Sequence, residues 1–234
     1  MGKYRKDIDY DFIEENANDM IEDLGEIVFP LNCFNVARKL GISLKEYSDY
    51  REEDKAFLLS ISNDGFCVKK INQFVIAYND ENPEVRIKFT IWHEIGHIQL
   101  GHLDSFADNV LSVSTSNKLE KEADYFARYV LAPLPLICLL GCDSVEKIAT
   151  SCKISHQCAG YVFDNYNKAM VYPSLKSKIM NNRIRELLKF YFSPEDGRWE
   201  VFSKRRVSHK DINRFLSSEE VHRYLFPQTL LSPR

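Results

Sequence analysis

A chain of 234 residues with 44% hydrophobic content is long enough to bury one substantial core and a small appended unit, which points to a globular protein. Lys and Arg total 31 against 34 for Asp and Glu, so the net charge of −3 supplies no overall basic field for nucleic acid. The charge is uneven: residues 176–234 carry 13 Lys/Arg against 7 Asp/Glu, a surplus of +6 that leaves −9 for residues 1–175.

The N-terminal "MGKYRKDIDYDF" lacks an apolar core of the export type, and the longest apolar run, "YVLAPLPLICLLG", is broken by Pro133 and Pro135. A cytoplasmic protein without a membrane span is expected. The six cysteines are then expected as reduced thiols. Cys138, Cys142, Cys152 and Cys158 flank His156, but no C-x-x-C pair supports a zinc knuckle, and buried apolar thiols are the expectation.

In chain order, residues 8–24 predict an amphipathic helix, with Ile8, Phe12, Ile13, Ala17, Met20 and Ile21 near helical spacing and acids opposite. "CFNVARKLG" predicts a second helix stopped by Gly41. Three β-prone runs follow: "AFLLSIS" (56–62), "GFCVKKI" (65–71) and "QFVIAYN" (73–79). Asn63-Asp64-Gly65 tolerates φ > 0, so a hairpin is expected between the first two and a small antiparallel sheet overall.

From Pro83 onward the apolar positions Val85, Phe89, Trp92, Gly96 and Leu100 recur at helical spacing until Gly101. "KLEKEADYFARYVLA" predicts the next helix, with a polar loop over 103–117 between the two. "VEKIATSCKISHQCAGYVFDNY" predicts two short helices, and "KFYFSPEDGRWEVF" a hairpin turning at 194–197. The helix-turn-helix spacing of the former carries no Lys or Arg after Ile154 to meet phosphates, so a packing or docking unit is expected and direct DNA binding is not. The basic "SKRRVSHK" is expected as a solvated loop.

The chemistry resides in "WHEIGH". On a helix each residue advances about 100°, so His93 and His97 project from one face a turn apart and can share one metal ion. Glu94 is rotated off that axis, where its carboxylate can act as base on water at the metal rather than as a ligand. Zinc lowers the pKa of water towards about 7, and a base that moves a proton to the leaving amine completes peptide hydrolysis.

Two histidines leave a tetrahedral metal short of one protein ligand. "LEKEAD" offers Glu120, with Asp124 on the same face to take the N–H of a ligand histidine, and Ala123 to permit close approach. Glu120 is assigned as third ligand; Glu122, on another face of the turn, is the alternative. His102 lies one position short of the third histidine in H-E-x-x-H-x-x-G-x-x-H, and is expected to be a cap or a support for the site. "QFVIAYN" is the candidate sheet edge for an extended substrate.

Together "RIKFTIWHEIGHIQLGH", "EKEADYFARYVLAP", "FNVARKLGI" and "FVIAYN" resemble the ImmA/IrrE family of metallo-endopeptidases over roughly residues 30–135. The resemblance implies a cytoplasmic zinc protease of gluzincin type, bacterial or phage-borne. By position His93, His97 and Glu120 match the family's zinc ligands and Glu94 its catalytic glutamate. The implied target is a helix-turn-helix repressor, whose cleavage releases genes of a mobile element or stress response. Residues 176–234 lie outside the resemblance. The helix over 8–24 is too short for the repressor-type domain that some relatives carry ahead of the protease, so the target is expected to be a separate protein.

The expected architecture is α+β, with a small antiparallel sheet packed on the H-E-x-x-H helix and its successor. It comprises a metallopeptidase domain over 1–135, a helical unit over 136–175 and a basic extension over 176–234. Two other readings use the same residues: a non-proteolytic regulator with a structural metal site, and a zinc-dependent component of a toxin–antitoxin pair.

Overall fold

A computed structural model describes residues 8–24, 30–71, 73–105, 117–139, 142–171, 198–201 and 205–208. These fall into two compact units, the first drawn from residues up to Leu24 and from Leu31–Leu131, the second from Ala132 onward. The architecture is α+β.

In the first unit, α1 (Tyr10–Leu24) buries Ile13, Ala17, Met20 and Ile21 as its periodicity predicts and leaves Asp11, Glu15, Asp19, Glu22 and Asp23 in solvent, whereas Phe12, expected on the apolar face, is 52% exposed. α2 (Cys33–Lys39) starts at Asn32, whose side-chain oxygen accepts from the Asn35 amide at 3.1 Å. It is stopped at Gly41, where φ is +71° and the following Ile42 amide returns to the Ala37 carbonyl at 2.8 Å.

The next stretch departs from expectation. "AFLLSIS" forms no strand: α3 spans Glu52–Ile61. Three acids, Glu52, Glu53 and Asp54, occupy its first turn, where the helix dipole favours negative charge. Leu58 and Ile61, three residues apart, and Leu59 pack against Tyr47, Phe66 and Ala77. Asn63-Asp64-Gly65 therefore links a helix to a strand, with Ser62 Oγ accepting from the amides of Asp64 and Gly65 at 3.2 and 3.1 Å.

The missing strand is polar and lies earlier. β1 (Ser43–Glu46) pairs parallel to β3 (Gln73–Tyr78), with Leu44 opposite Ile76, while β2 (Gly65–Lys70) pairs antiparallel to β3, with Cys67 opposite Ile76. The order β1-β3-β2 makes the sheet mixed rather than wholly antiparallel. It also puts "QFVIAYN" in the centre, paired on both sides, so that segment is not a sheet edge.

α4 (Glu84–Gln99) lies against this sheet. A Cβ on Gly65 would sit 2.7 Å from Thr90 Cγ2 and 2.8 Å from the Ala77 carbonyl, so the glycine is what lets strand and helix meet. The Arg86 guanidinium clasps the Asp64 carboxylate and fixes the first turn of α4 beside the start of β2.

α5 (Asn117–Leu131) packs on α4 and fully buries Ala123, Phe126, Ala127 and Val130. Gly96 faces Phe126, and a Cβ there would approach the ring to 3.1 Å. On its other flank α5 meets α1, where the hydroxyls of Tyr125 and Tyr129 donate to Glu14 Oε1 at 2.6 Å and Asn18 Oδ1 at 3.0 Å. The loop expected over 103–117 begins as a short 3-10 turn, His102–Ser105; residues 106–116 lie outside the described residues.

In the second unit, α6 (Leu134–Leu139), α7 (Val145–Cys152) and α8 (His156–Val171) are all helical; α8, at 16 residues, is longer than expected. Ser144 caps α7 through the Lys147 amide at 3.3 Å. Cys142, Cys152 and Cys158 are buried thiols outside any disulfide, whereas His156 is exposed and faces Glu146. β4 (Arg198–Val201) pairs antiparallel to β5 (Arg205–Ser208), so part of the basic "SKRRVSHK" is a strand. Residues 189–197, with the expected turn at 194–197, and the rest of the 176–234 extension lie outside the described residues. Among the described residues no helix is long and apolar enough to cross a membrane.

Candidate metal centre

α4 presents His93 and His97 on one face, as the four-residue spacing requires, and their Nε2 atoms lie 3.0 Å apart. Glu120, in the first turn of α5, closes the group: Oε2 is 3.3 Å from His93 Nε2 and Oε1 is 3.6 Å from His97 Nε2. Among the described residues this is the group of His, Cys, Asp and Glu side chains whose ligand atoms all fall within 4.8 Å of one another.

The donor set can be tested against a metal. Tetrahedral coordination by bonds of about 2.0–2.1 Å separates neighbouring ligand atoms by about 3.3 Å. The observed separations of 3.0, 3.3 and 3.6 Å bracket that value, and two imidazoles with one carboxylate leave a fourth position open, as hydrolytic zinc sites do. The residues therefore fit zinc.

Each histidine is held from behind. His93 Nδ1 lies 2.9 Å from Asp124 Oδ1, one helical turn beyond Glu120 on α5. Burial opposes charge on His93, but the hydrogen bonds to Asp124 and Glu120 outweigh it and push its pKa up to about 10. Those two carboxylates favour a cation at this point, which is what a metal provides. Arg128, four residues after Asp124, sits 3.7 Å from its other oxygen.

His97 Nδ1 lies 2.8 Å from His102 Nδ1. The two ring nitrogens of an imidazole diverge, so with Nε2 turned to Glu120 and His93, His97 has His102 on its far side. His102 is thus outside the three-residue group, in accord with its one-position offset. Burial first, then the neighbouring His97, pushes its pKa down to about 4, so it is neutral near pH 7. Glu122, the alternative to Glu120, points elsewhere: its Oε2 is 3.3 Å from His102 Nε2 and its Oε1 is 3.5 Å from Lys118.

Glu94 is only 6% exposed. The thiol of Cys67, fully buried on β2, donates a hydrogen bond to its carboxylate; burial, and then the charge of Glu94, push that thiol well above its usual range. Cys67 is therefore a neutral donor to the Glu94 carboxylate. Sequence reasoning missed this contact because a cysteine in an apolar strand carries no local signal. The partners Lys118 and Arg128 do have one, since each stands four residues from its acid on α5.

A search among curated proteins finds no match to the chain. Residues 86–132, which carry α4 from its third residue, the following turn and α5, match the Peptidase U49 family, and proteolysis is the class of function that this match indicates.

Proposed function

We propose that this chain is a zinc endopeptidase of the ImmA/IrrE type that cuts a regulatory protein, a helix-turn-helix repressor of a mobile element or stress response. The observation that carries the reading is the convergence of His93, His97 and Glu120 at 3.0 to 3.6 Å, beside a buried Glu94 and within the segment that matches a peptidase family. In this reading His93, His97 and Glu120 are the ligands, Glu94 is the general base, and Asp124 fixes the His93 tautomer.

Bound zinc supplies a Lewis acid that makes water nucleophilic near neutral pH. Glu94 takes one proton from the attacking water as its oxygen joins the carbonyl carbon. It then delivers that proton to the amide nitrogen as the C–N bond breaks. Burial shields this carboxylate from bulk water, and the Cys67 thiol fixes its position without adding charge.

The substrate backbone pairs with the side of β2 that meets no strand among the described residues, because β3 is paired on both sides and Cys67 places β2 against Glu94. The −9 charge of residues 1–175 suits a basic, DNA-binding target.

The test uses purified protein and the helix-turn-helix repressor encoded nearest to it. About one zinc per chain is expected, and Glu94→Gln should retain the metal but lose cleavage. Metal-free protein, or full cleavage by the Glu94→Gln variant, overturns the reading.

A further inference from the structure

We infer that His102 is the positioning residue for His97, and that Glu122, paired with Lys118, holds His102 in the tautomer the task requires. The inference rests on the reading that His97 donates Nε2 to a metal. With Nε2 committed, the ring proton of His97 is on Nδ1, and the acceptor it meets at 2.8 Å is His102 Nδ1. His102 must then carry its own proton on Nε2, where Glu122 Oε2 receives it at 3.3 Å. Glu122 Oε1 turns to Lys118 at 3.5 Å. Every hydrogen bond in the chain from His97 to Glu122 thus has one proton, and the reverse assignment would set two N–H groups against each other between His97 and His102.

The two histidines of α4 are supported differently. His93 meets a carboxylate directly, whereas His97 meets a neutral imidazole with the carboxylate one residue further out. This orients His97 without a fourth carboxylate in direct contact with the group, besides Glu94, Glu120 and Asp124. The backbone makes it possible. Gly101, at φ +69°, turns the chain out of α4 and into the 3-10 turn that begins at His102, so His102 lies buried behind His97, 5% exposed.

Zinc affinity, read by chelator competition on folded protein, tests the assignment. His102→Leu removes the acceptor and should weaken zinc binding about 10- to 100-fold, the usual cost of losing a partner of a ligand histidine. His102→Asn, whose side-chain oxygen can occupy the place of Nδ1, should restore affinity to within a few-fold of wild type. Glu122→Leu should weaken binding in the same direction as His102→Leu. Imidazole 15N spectra of the wild-type protein should show neutral His102 with its proton on Nε2. Unchanged affinity in folded His102→Leu, or a proton on His102 Nδ1, overturns the inference. Failure of the zinc-loaded wild type to cleave any repressor would count against the proteolytic reading alone.

Discussion

His93 and Asp124 come from different helices, 31 residues apart, and meet at 2.9 Å between Nδ1 and Oδ1. That contact ties the phase of α5 to the His93 and His97 side of α4, because Glu120 lies one turn before Asp124 and thereby reaches the same histidine. Asp124→Ala should lower zinc affinity about 10- to 100-fold, and Asp124→Asn, which keeps an acceptor oxygen, should lose less. Equal losses in the two variants would show that charge rather than orientation is what Asp124 supplies.

The two glutamates of α5 should separate cleanly by metal content. Glu120→Ala is expected to fall well below one zinc per chain after dialysis, while Glu122→Gln, whose amide oxygen still accepts from His102, should retain full loading. Elemental analysis reads both; full loading of Glu120→Ala would remove it from the ligand set.

Close approach of α4 and α5 has a steric signature at Gly96. Replacing a mid-helix glycine by alanine gains about 1 kcal/mol from helix propensity alone. Here the new methyl would meet the Phe126 ring at 3.1 Å, inside normal contact, and overpacking of that kind costs about 1–3 kcal/mol. Gly96→Ala is therefore expected to be neutral to destabilising by urea denaturation, against the propensity trend. In a Phe126→Ala background, which itself costs about 3–5 kcal/mol, only the contact with the residue-126 Cβ at 3.2 Å remains, so the same change should cost less than in the wild type.

Glu14 makes stability depend on pH. Burial raises its carboxyl above the ordinary 4.5, although the Tyr125 hydroxyl donating to it works the other way. A carboxyl whose folded pKa is raised favours the fold while protonated, and that contribution is lost as pH rises through the folded value. Glu14→Gln keeps an acceptor for Tyr125 and never ionises. The variant should therefore gain on wild type as pH rises above 4.5, read as diverging urea midpoints. A gap that does not change with pH would show that Glu14 does not titrate over this range.

Elements with a strong local period were legible in the sequence. α1, α2, α4 and α5 declare themselves by apolar spacing and by stops at Gly41 and Gly101. The strands were less so. "AFLLSIS" is too short a run to tell a buried strand from a helix, and only the acids before it and its packing on Tyr47 and Phe66 make it α3. β1 is the polar tetrapeptide "SLKE", extended because β3 lies beside it rather than because of its own residues.

The same division runs through the candidate site. Sequence alone determines that His93 and His97 share a face with Glu94 beside them, since a helix of fixed pitch leaves no other outcome. Tertiary structure decides everything that crosses between elements. The rotation of α5 brings Glu120 to His93 and His97 and Glu122 to His102, the turn at Gly101 puts His102 behind His97, and the mixed sheet brings Cys67 to Glu94. These depend on the relative phase and separation of segments distant in the chain, and packing sets that phase where local periodicity cannot.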